Sequence, residues 1–197
     1  AQVRAALGFD GSGKVDLARA DPDLLGDALA IAVQDGDAAV FEAAQRAFEA
    51  SRNTVHRYAL LGALGSTRDP ALAARVRDYG LGSAVQLGEM GFLYGAQMNE
   101  PANRAATWQW LGEHFDDLRK RLPPFAQSRV PAMFSDGRCS VAAAEELAAF
   151  FTPRIKDLIG GERGLAQTVE RIRQCSALRE HTDARPLDEW ALAHSRH

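Results

Sequence analysis

A helix-pair unit that recurs at an interval of 31 residues constrains this fold more than any other sequence feature. Asp69-Pro70 and Glu100-Pro101 stand 31 positions apart, and each places an acidic residue before a proline, the pattern of a helix start. The segment Ala28-Leu29 recurs at Ala59-Leu60 with the same shift. Because one amphipathic helix pair cannot bury its inner face alone, such units have to stack on their neighbours.

Apolar side chains spaced by three and four residues predict the individual helices. The longest stripe predicts a helix over residues 101 to about 122, which Pro123-Pro124 ends. This stripe consists of Trp108, Leu111, Phe115, Leu118 and Leu122. A second long helix is predicted after Gly160-Gly161 from the stripe Leu165, Val169, Ile172, Cys175 and Leu178.

Shorter signals complete the predicted set of helices. We expect Asp21-Pro22 and Asp37 to begin helices, and Ser140 to cap another. Residues 186–197 predict a short docked helix with a frayed tail. The sequence therefore predicts an all-α fold, an α–α superhelix of about ten helices in HEAT- or armadillo-like pairs. We expect residues 1–20 to form a glycine-rich N-terminal lead-in and residues 21–197 to form one helical-repeat domain.

Composition excludes several classes of protein. The net charge is −3, whereas nucleic-acid binders usually carry a basic face, so no nucleic-acid partner is expected. No apolar stretch approaches the roughly 20 residues of a membrane span. The sequence predicts a soluble protein and leaves its compartment open, with the cytoplasm favoured.

The chemistry of a zinc peptidase is missing from this chain. A His-Glu-x-x-His site needs two imidazoles four residues apart on a helix. No two of the five histidines have that spacing: His56, His114, His181, His194 and His197. We therefore predict no catalytic residue and no metal ligand here. Gly8 to Lys14 nearly matches a phosphate-binding loop, but Val15 follows where serine or threonine is needed.

The two cysteines form no Cys-x-x-Cys pair. Cys175 falls on the apolar face of its predicted helix, which favours a core thiol. A disulfide with Cys139 is left open. Trp108 lies on the apolar stripe and is predicted to be core. Trp110 points elsewhere, either against the neighbouring repeat, which we favour, or into a groove.

Several segments resemble one protein family. They read LLGALGSTRDPAL at 60–72, RAATWQWL at 104–111, HFDDL at 114–118, FF at 150–151 and LAQTVERIR at 165–173. Their order and spacing resemble the C-terminal helical domain of aminopeptidase N-type zinc metallopeptidases. Relatives include the puromycin-sensitive and endoplasmic-reticulum aminopeptidases. The resemblance runs from about Asp21 to Trp190.

The resemblance implies a function. In that family the domain closes over a separate catalytic domain, which holds the zinc, and its concave side walls a chamber for the peptide's tail. We therefore expect a non-catalytic C-terminal domain whose partners are a catalytic domain of the same polypeptide and a peptide substrate. One departure is the stretch from Gln86 to Glu89, where the family usually has an Arg-x-x-Asp-type turn; Gln86 lacks the cation.

Polar or amphipathic groups near the repeat turns are the candidates for peptide contact. They are Arg57, Tyr58, Tyr94, Asn99 and Arg104. An arginine among them is suited to a bidentate pair with a peptide carboxylate. The alternative function is a free-standing HEAT-like scaffold that binds another protein. The sequence upstream of this chain discriminates the two, because only a peptidase carries His-Glu-x-x-His there.

Overall fold

The computed structural model describes residues 7, 9, 14–17, 21–182 and 189–190. Within this part of the chain, ten α-helices and one 3-10 helix have described bounds, and there is no strand. The α-helices are α1 Leu25–Gln34, α2 Ala38–Ala50, α3 Thr54–Gly65, α4 Pro70–Tyr79, α5 Met90–Asn99, α6 Pro101–Arg121, α7 Pro124–Gln127, α8 Val130–Met133, α9 Val141–Phe151 and α10 Gly161–His181. The 3-10 helix, Thr152–Asp157, lies between α9 and α10. The predicted all-α fold is confirmed.

Helix starts follow the predicted capping residues. The carboxylates of Asp37 and Asp69 each accept hydrogen bonds from two backbone amides of the first turn. The side chains of Glu100 and Ser140 each accept one. These acceptors satisfy amides that have no partner inside the helix, which is why the helices begin at these positions. Asp21-Pro22 is different: its carboxylate accepts from Asp23 N within a turn, and α1 begins only at Leu25.

Alternate helices pack side by side, so the chain builds two layers. Helices α1, α3 and α5 are neighbours in one layer, and α8 and α10 continue the series from α5. Helices α2, α4 and α6 lie in the other layer, with α4 packed against α3, α5 and α6. Helices α1, α3 and α5 thus contact both a hairpin partner and a counterpart in a neighbouring repeat, as a superhelix of stacked pairs requires.

Polar side chains join each repeat to the next. The pairs are separated by 30 to 36 residues, close to the sequence repeat. They are Arg57–Glu89, Gln45–Arg75, Glu49–Tyr79, Thr67–Asn103 and Asp78–Trp110. The regular separation follows from the stacking, since equivalent positions of successive pairs face one another.

The stripe on α6 is buried as predicted, except at its first position. Leu111, Phe115, Leu118 and Leu122 belong to the core. Trp108, predicted to be core, is half-buried and packs against the core, and the Arg138 guanidinium lies over its ring, 4.0 Å from the centroid. Its indole packs against the ring of Phe150 at 5.1 Å between centroids. The aromatic ring is therefore at the edge of the core.

The stripe predicted on α10 is only partly buried. Ile172 is buried, but Leu178 is 69% exposed, and residues 177–182 are all exposed. The buried side of this helix is instead completed by Thr168 and Ser176. The last turn of α10 is therefore not packed into the core, which the apolar spacing alone does not reveal.

Cys175 is not a core thiol, because it forms a disulfide with Cys139. Their Cα atoms lie 5.2 Å apart, within the usual range for such a bond. Cys139 follows α8 in the connector to α9, and Cys175 lies in α10, so the bond ties this connector to the last long helix. The expectation of a buried free thiol is wrong, and the alternative left open by the sequence is correct.

The ends of the chain are described only in part. Leu7 is fully buried in the core, and Phe9, Val15 and Leu17 pack against it, so described residues of the predicted lead-in contact the repeats. Most of residues 8–14, including the Gly8 and Gly13 of the phosphate-loop comparison, lie outside the described residues. The predicted helix over residues 186–197 does too, apart from residues 189 and 190, which are helical.

Candidate functional site

An open groove of about 390 Å³ crosses the layer formed by α1, α3 and α5. Small side chains line most of it, so that three neighbouring helices leave a shallow trough. The lining residues are Gly26, Ala30, Gln34, Tyr58, Ala59, Gly62, Ala63, Ser66, Phe92, Ala96, Asn99 and Glu100. Because these residues recur at three- and four-residue steps, they share one face of each helix.

Two glycines keep the floor of the groove low. A Cβ atom placed on Gly26 of α1 or on Gly62 of α3 would meet no other atom within 4 Å. These glycines are therefore not required for helix packing, although glycine is less favourable than alanine inside a helix by about 1 kcal/mol. The free space above them belongs to the groove.

A pair of aromatic rings forms one wall of the groove. Tyr58 of α3 and Phe92 of α5 stack with their centroids 4.1 Å apart and their planes inclined by 15°. Phe92 remains 45% exposed, although phenylalanine is usually buried. The wall therefore offers an apolar surface to solvent, next to the Tyr58 phenol.

The opposite end of the groove is polar. Glu100 is 7% exposed and accepts hydrogen bonds from Gln34 Nε2 and Arg68 Nε, each at 3.1 Å. The same carboxylate caps α6 through the Ala102 amide at 3.3 Å. The exposed amide of Asn99 lies beside it. The groove thus has an apolar wall, a small-residue floor and a hydrogen-bonding end.

Two of the five predicted binding residues, Tyr58 and Asn99, line this groove. The other three are elsewhere. Tyr94 is fully buried, stacks on Trp110 and Phe134, and donates its hydroxyl hydrogen to the Arg77 carbonyl at 3.1 Å. Burial raises the pKa of this phenol.

Arg104 binds the C-terminal end of α5. Its Nε and Nη2 atoms donate to the carbonyls of Met98 at 2.7 Å and Asn99 at 3.2 Å. The guanidinium therefore satisfies carbonyls that have no partner within the helix. In this position Arg104 fixes the end of α5, where Asn99 lines the groove.

Arg57 is buried and forms an ion pair with Glu89. Its Nη1 atom also donates to the Phe48 carbonyl, and the guanidinium lies 4.0 Å from the Phe48 ring centroid. The hydrogen bond to Glu89 raises the pKa of Arg57. Burial alone raises the pKa of Glu89, but the hydrogen bond and charge of Arg57, together with the Gln86 amide, lower it below its usual value. The positive charge that the family usually has at position 86 is thus supplied here by Arg57 of α3.

Trp110 packs against the neighbouring repeat, the alternative favoured from the sequence. It is 7% exposed, stacks on Tyr94 at 5.2 Å, and donates from Nε1 to Asp78 at 2.7 Å. The groove residues that sequence reasoning missed are Gln34, Phe92 and Glu100. Only the packing of α1, α3 and α5 places them on one face.

Among the described residues, no group of three or more histidine, cysteine, aspartate or glutamate side chains is arranged to hold a metal ion. The described helices also include none with the length and apolar character needed to traverse a bilayer. The groove brings together hydrogen-bonding side chains and an aromatic wall.

One comparison with known proteins gives a match. The family model described as the ERAP1-like C-terminal domain matches residues 3–174, most of the chain. No curated protein gives a significant match. The matched span covers all three helices of the groove and most of α10.

Proposed function

This chain belongs to the family of ERAP1-like C-terminal domains, and on that premise we propose that it is the non-catalytic C-terminal domain of a zinc aminopeptidase. In this proposal the zinc is held by a catalytic domain of the same polypeptide. The chain itself walls part of the substrate chamber and contacts the distal part of the peptide. The sequence supports a non-catalytic role, because no two histidines have the spacing of His-Glu-x-x-His.

The open groove across α1, α3 and α5 is the observation that carries the peptide-binding part of the proposal. An extended peptide presents backbone amides and carbonyls together with side chains on alternate faces. The small residues leave room for its backbone, and the Tyr58–Phe92 wall offers a surface for an apolar side chain. Asn99 and Gln34 carry amide groups that donate to and accept from a peptide backbone.

Arg57, Tyr94 and Arg104 act indirectly in this proposal. Arg57 ties α3 to the segment before α5, while Arg104 binds the end of α5. Both interactions fix the relative positions of the helices that carry Tyr58 and Asn99. We therefore assign peptide contact to Tyr58 and Asn99, and a positioning role to the other three.

Peptide binding to the purified chain tests the groove. We expect a fluorescently labelled, extended peptide with an apolar side chain to bind, and Tyr58→Ala to weaken that binding about tenfold by removing half of the aromatic wall. Tyr58→Phe keeps the ring and is expected to bind nearly as well. Phe125→Ala is the matched control, because Phe125 is 83% exposed and lies outside the groove. Equal affinities for Tyr58→Ala and the unmodified chain would overturn the groove assignment.

Two further measurements test the aminopeptidase part. The purified chain with added zinc is expected to leave an aminoacyl chromogenic substrate intact, and metal-dependent turnover by this chain alone contradicts the proposal. The upstream reading frame is expected to encode His-Glu-x-x-His followed by a further glutamate. A nearby start codon without that motif would instead favour a free-standing scaffold.

A further inference from the structure

A second cleft, of about 600 Å³, lies between the α7–α8 turn and α10. Three arginines line it: Arg129 from the turn, and Arg163 and Arg171 from α10. All three are exposed. The cleft is separate from the groove across α1, α3 and α5, since the two share no lining residue.

Helix geometry and one glycine bring the arginines together. Arg163, Gln167 and Arg171 step by four residues along α10, so they lie on one face of the helix. The main chain of Ser128 approaches this face so closely at Gly164 that a Cβ atom there would overlap the Ser128 carbonyl. Gly164 thus allows the α7–α8 turn to place Arg129 beside the two arginines of α10.

The described residues neutralise the charges of this cleft only in part: Asp136 interacts electrostatically with Arg171. Within the part of the chain that the structure describes, none of the three arginines forms an ion pair, whereas Arg57, Arg68, Arg75 and Arg138 all do. Arg171 donates to the Ser135 hydroxyl, a neutral acceptor. No aspartate or glutamate is among the residues that line the cleft.

Arg163 lies at the end of α10 that attracts anions. It lies in the first turn of α10, a helix of 21 residues, where the helix dipole favours negative charge. Glu162 in the same turn is exposed, and it does not line the cleft. A carboxylate bound in the cleft beside Arg163 would form a charge-assisted pair with it.

We propose that this cleft binds an acidic peptide segment, with its carboxylates paired to Arg129, Arg163 and Arg171. Eight residues of α-helix separate Arg163 from Arg171, a rise of about 12 Å. One carboxylate cannot span that distance, whereas an extended peptide of about four residues does, at about 3.3 Å per residue. Guanidinium groups bind carboxylates in bidentate pairs, so the charge and the spacing both favour a ligand with several carboxylates.

The proposal does not depend on the aminopeptidase assignment, because it concerns binding to the isolated chain. The probe is a labelled tetrapeptide of alternating aspartate and glutamate, acetylated and amidated at its ends. The comparison peptides are its asparagine–glutamine counterpart and a neutral tetrapeptide with a free terminal carboxylate. We expect the acidic peptide to bind most tightly, and its affinity to fall steeply between about 0.02 M and about 0.3 M salt as screening increases.

The variant Arg129→Gln/Arg163→Gln is expected to weaken binding of the acidic peptide at least about tenfold, given the usual strength of hydrogen bonds between charged groups. It leaves Arg171 and its contact with Ser135 intact. Arg173→Gln/Arg179→Gln is the matched control, because it also removes two positive charges, both on α10 outside the cleft, and it should bind within about twofold of the unmodified chain. Tyr58→Ala is expected to bind the acidic peptide normally, which separates this test from that of the groove.

Three outcomes would overturn the proposal. The first is equally tight binding of the asparagine–glutamine peptide, which would show that carboxylates are not recognised. The second is equally tight binding of the neutral peptide with a free terminal carboxylate, which would make the cleft a site for a chain end. The third is an equal loss of binding in Arg173→Gln/Arg179→Gln and in Arg129→Gln/Arg163→Gln, which would show that only the net charge matters.

Discussion

Arg57 and Glu89 form a buried bidentate ion pair between residues 32 positions apart, with Nε–Oε1 at 2.5 Å and Nη2–Oε2 at 2.8 Å. The pair joins α3 to the turn that precedes α5, and both helices carry the groove. Glu89 also accepts from the Gln86 amide at 2.8 Å, so one carboxylate closes its own turn and fixes a neighbouring repeat. Removing the Glu89 carboxylate should therefore weaken both this turn and the contact with the neighbouring repeat.

We expect Glu89→Gln to lower the free energy of unfolding by about 3 kcal/mol, because it leaves the buried Arg57 charge without its partner. Urea denaturation at neutral pH measures this change. The matched control is Glu42→Gln, which removes the exposed pair between Arg75 and Glu42 and should cost less than about 1 kcal/mol. Similar losses in the two variants would show that the Arg57–Glu89 pair does not stabilise the fold through its burial.

The same pair predicts a pH dependence of stability. The pKa of Glu89 is lower in the folded chain than its usual value, so the unfolded state binds the proton more readily. The stabilisation is complete above about pH 5 and is lost as the pH falls through the lowered pKa. Denaturation midpoints across this acid range should therefore fall less steeply in Glu89→Gln than in the unmodified chain. An identical slope would contradict the assignment of the lowered pKa.

The disulfide predicts a strong dependence on reducing agent. Cys139 and Cys175 are 36 residues apart, and closing a loop of that length is expected to stabilise the fold by about 3 to 4 kcal/mol. Thermal unfolding with and without a thiol reductant measures the effect, and Cys139→Ser/Cys175→Ser should be insensitive to the reductant. Equal midpoints for the oxidised and reduced chain would refute this prediction.

The disulfide also bears on the compartment. Such bonds persist mainly in oxidising surroundings, so it argues against the cytoplasmic location favoured from the sequence. We expect the bond in protein recovered under thiol-blocking conditions from its natural source. Peptide mass mapping of the 139–175 link measures it, and two blocked free thiols would be the contrary result.

Two glycines of α3 should respond to alanine in opposite directions. Gly62→Ala is expected to stabilise the chain by up to about 1 kcal/mol, because nothing lies within 4 Å of the added Cβ and alanine is the better helix former. Gly65→Ala should destabilise it by about 1 to 3 kcal/mol, since the Cβ would lie 2.6 Å from the Leu93 carbonyl oxygen and 2.9 Å from Ala96 Cβ. Urea denaturation compares the two, and a loss on Gly62→Ala would show that the groove floor is packed.

Much of the helical architecture was predictable from local signals. Asp37, Asp69, Glu100 and Ser140 act through hydrogen bonds to amides two or three residues away, so the sequence contains the whole interaction. Asp21 failed as a helix start because the same carboxylate chemistry also stabilises a turn. The apolar spacing on α6 predicted burial of Leu111, Phe115, Leu118 and Leu122, whereas the same spacing on α10, a helix of equal length, leaves Leu178 exposed.

By itself, then, the sequence determined which segments are helical, where most of them begin, and that they stack in pairs at a 31-residue interval. Only the tertiary structure decided which polar side chains are interior and which are free. Arg57 and Arg163 are equivalent as residue types, yet one is neutralised by Glu89 of the next repeat and the other lines an open cleft. The same holds for Cys139 and Cys175, whose bond depends on where the connector after α8 meets α10. The physical reason is range: caps and stripes depend on neighbours within a helical turn, whereas ion pairs, disulfides and clefts depend on residues brought together from distant repeats.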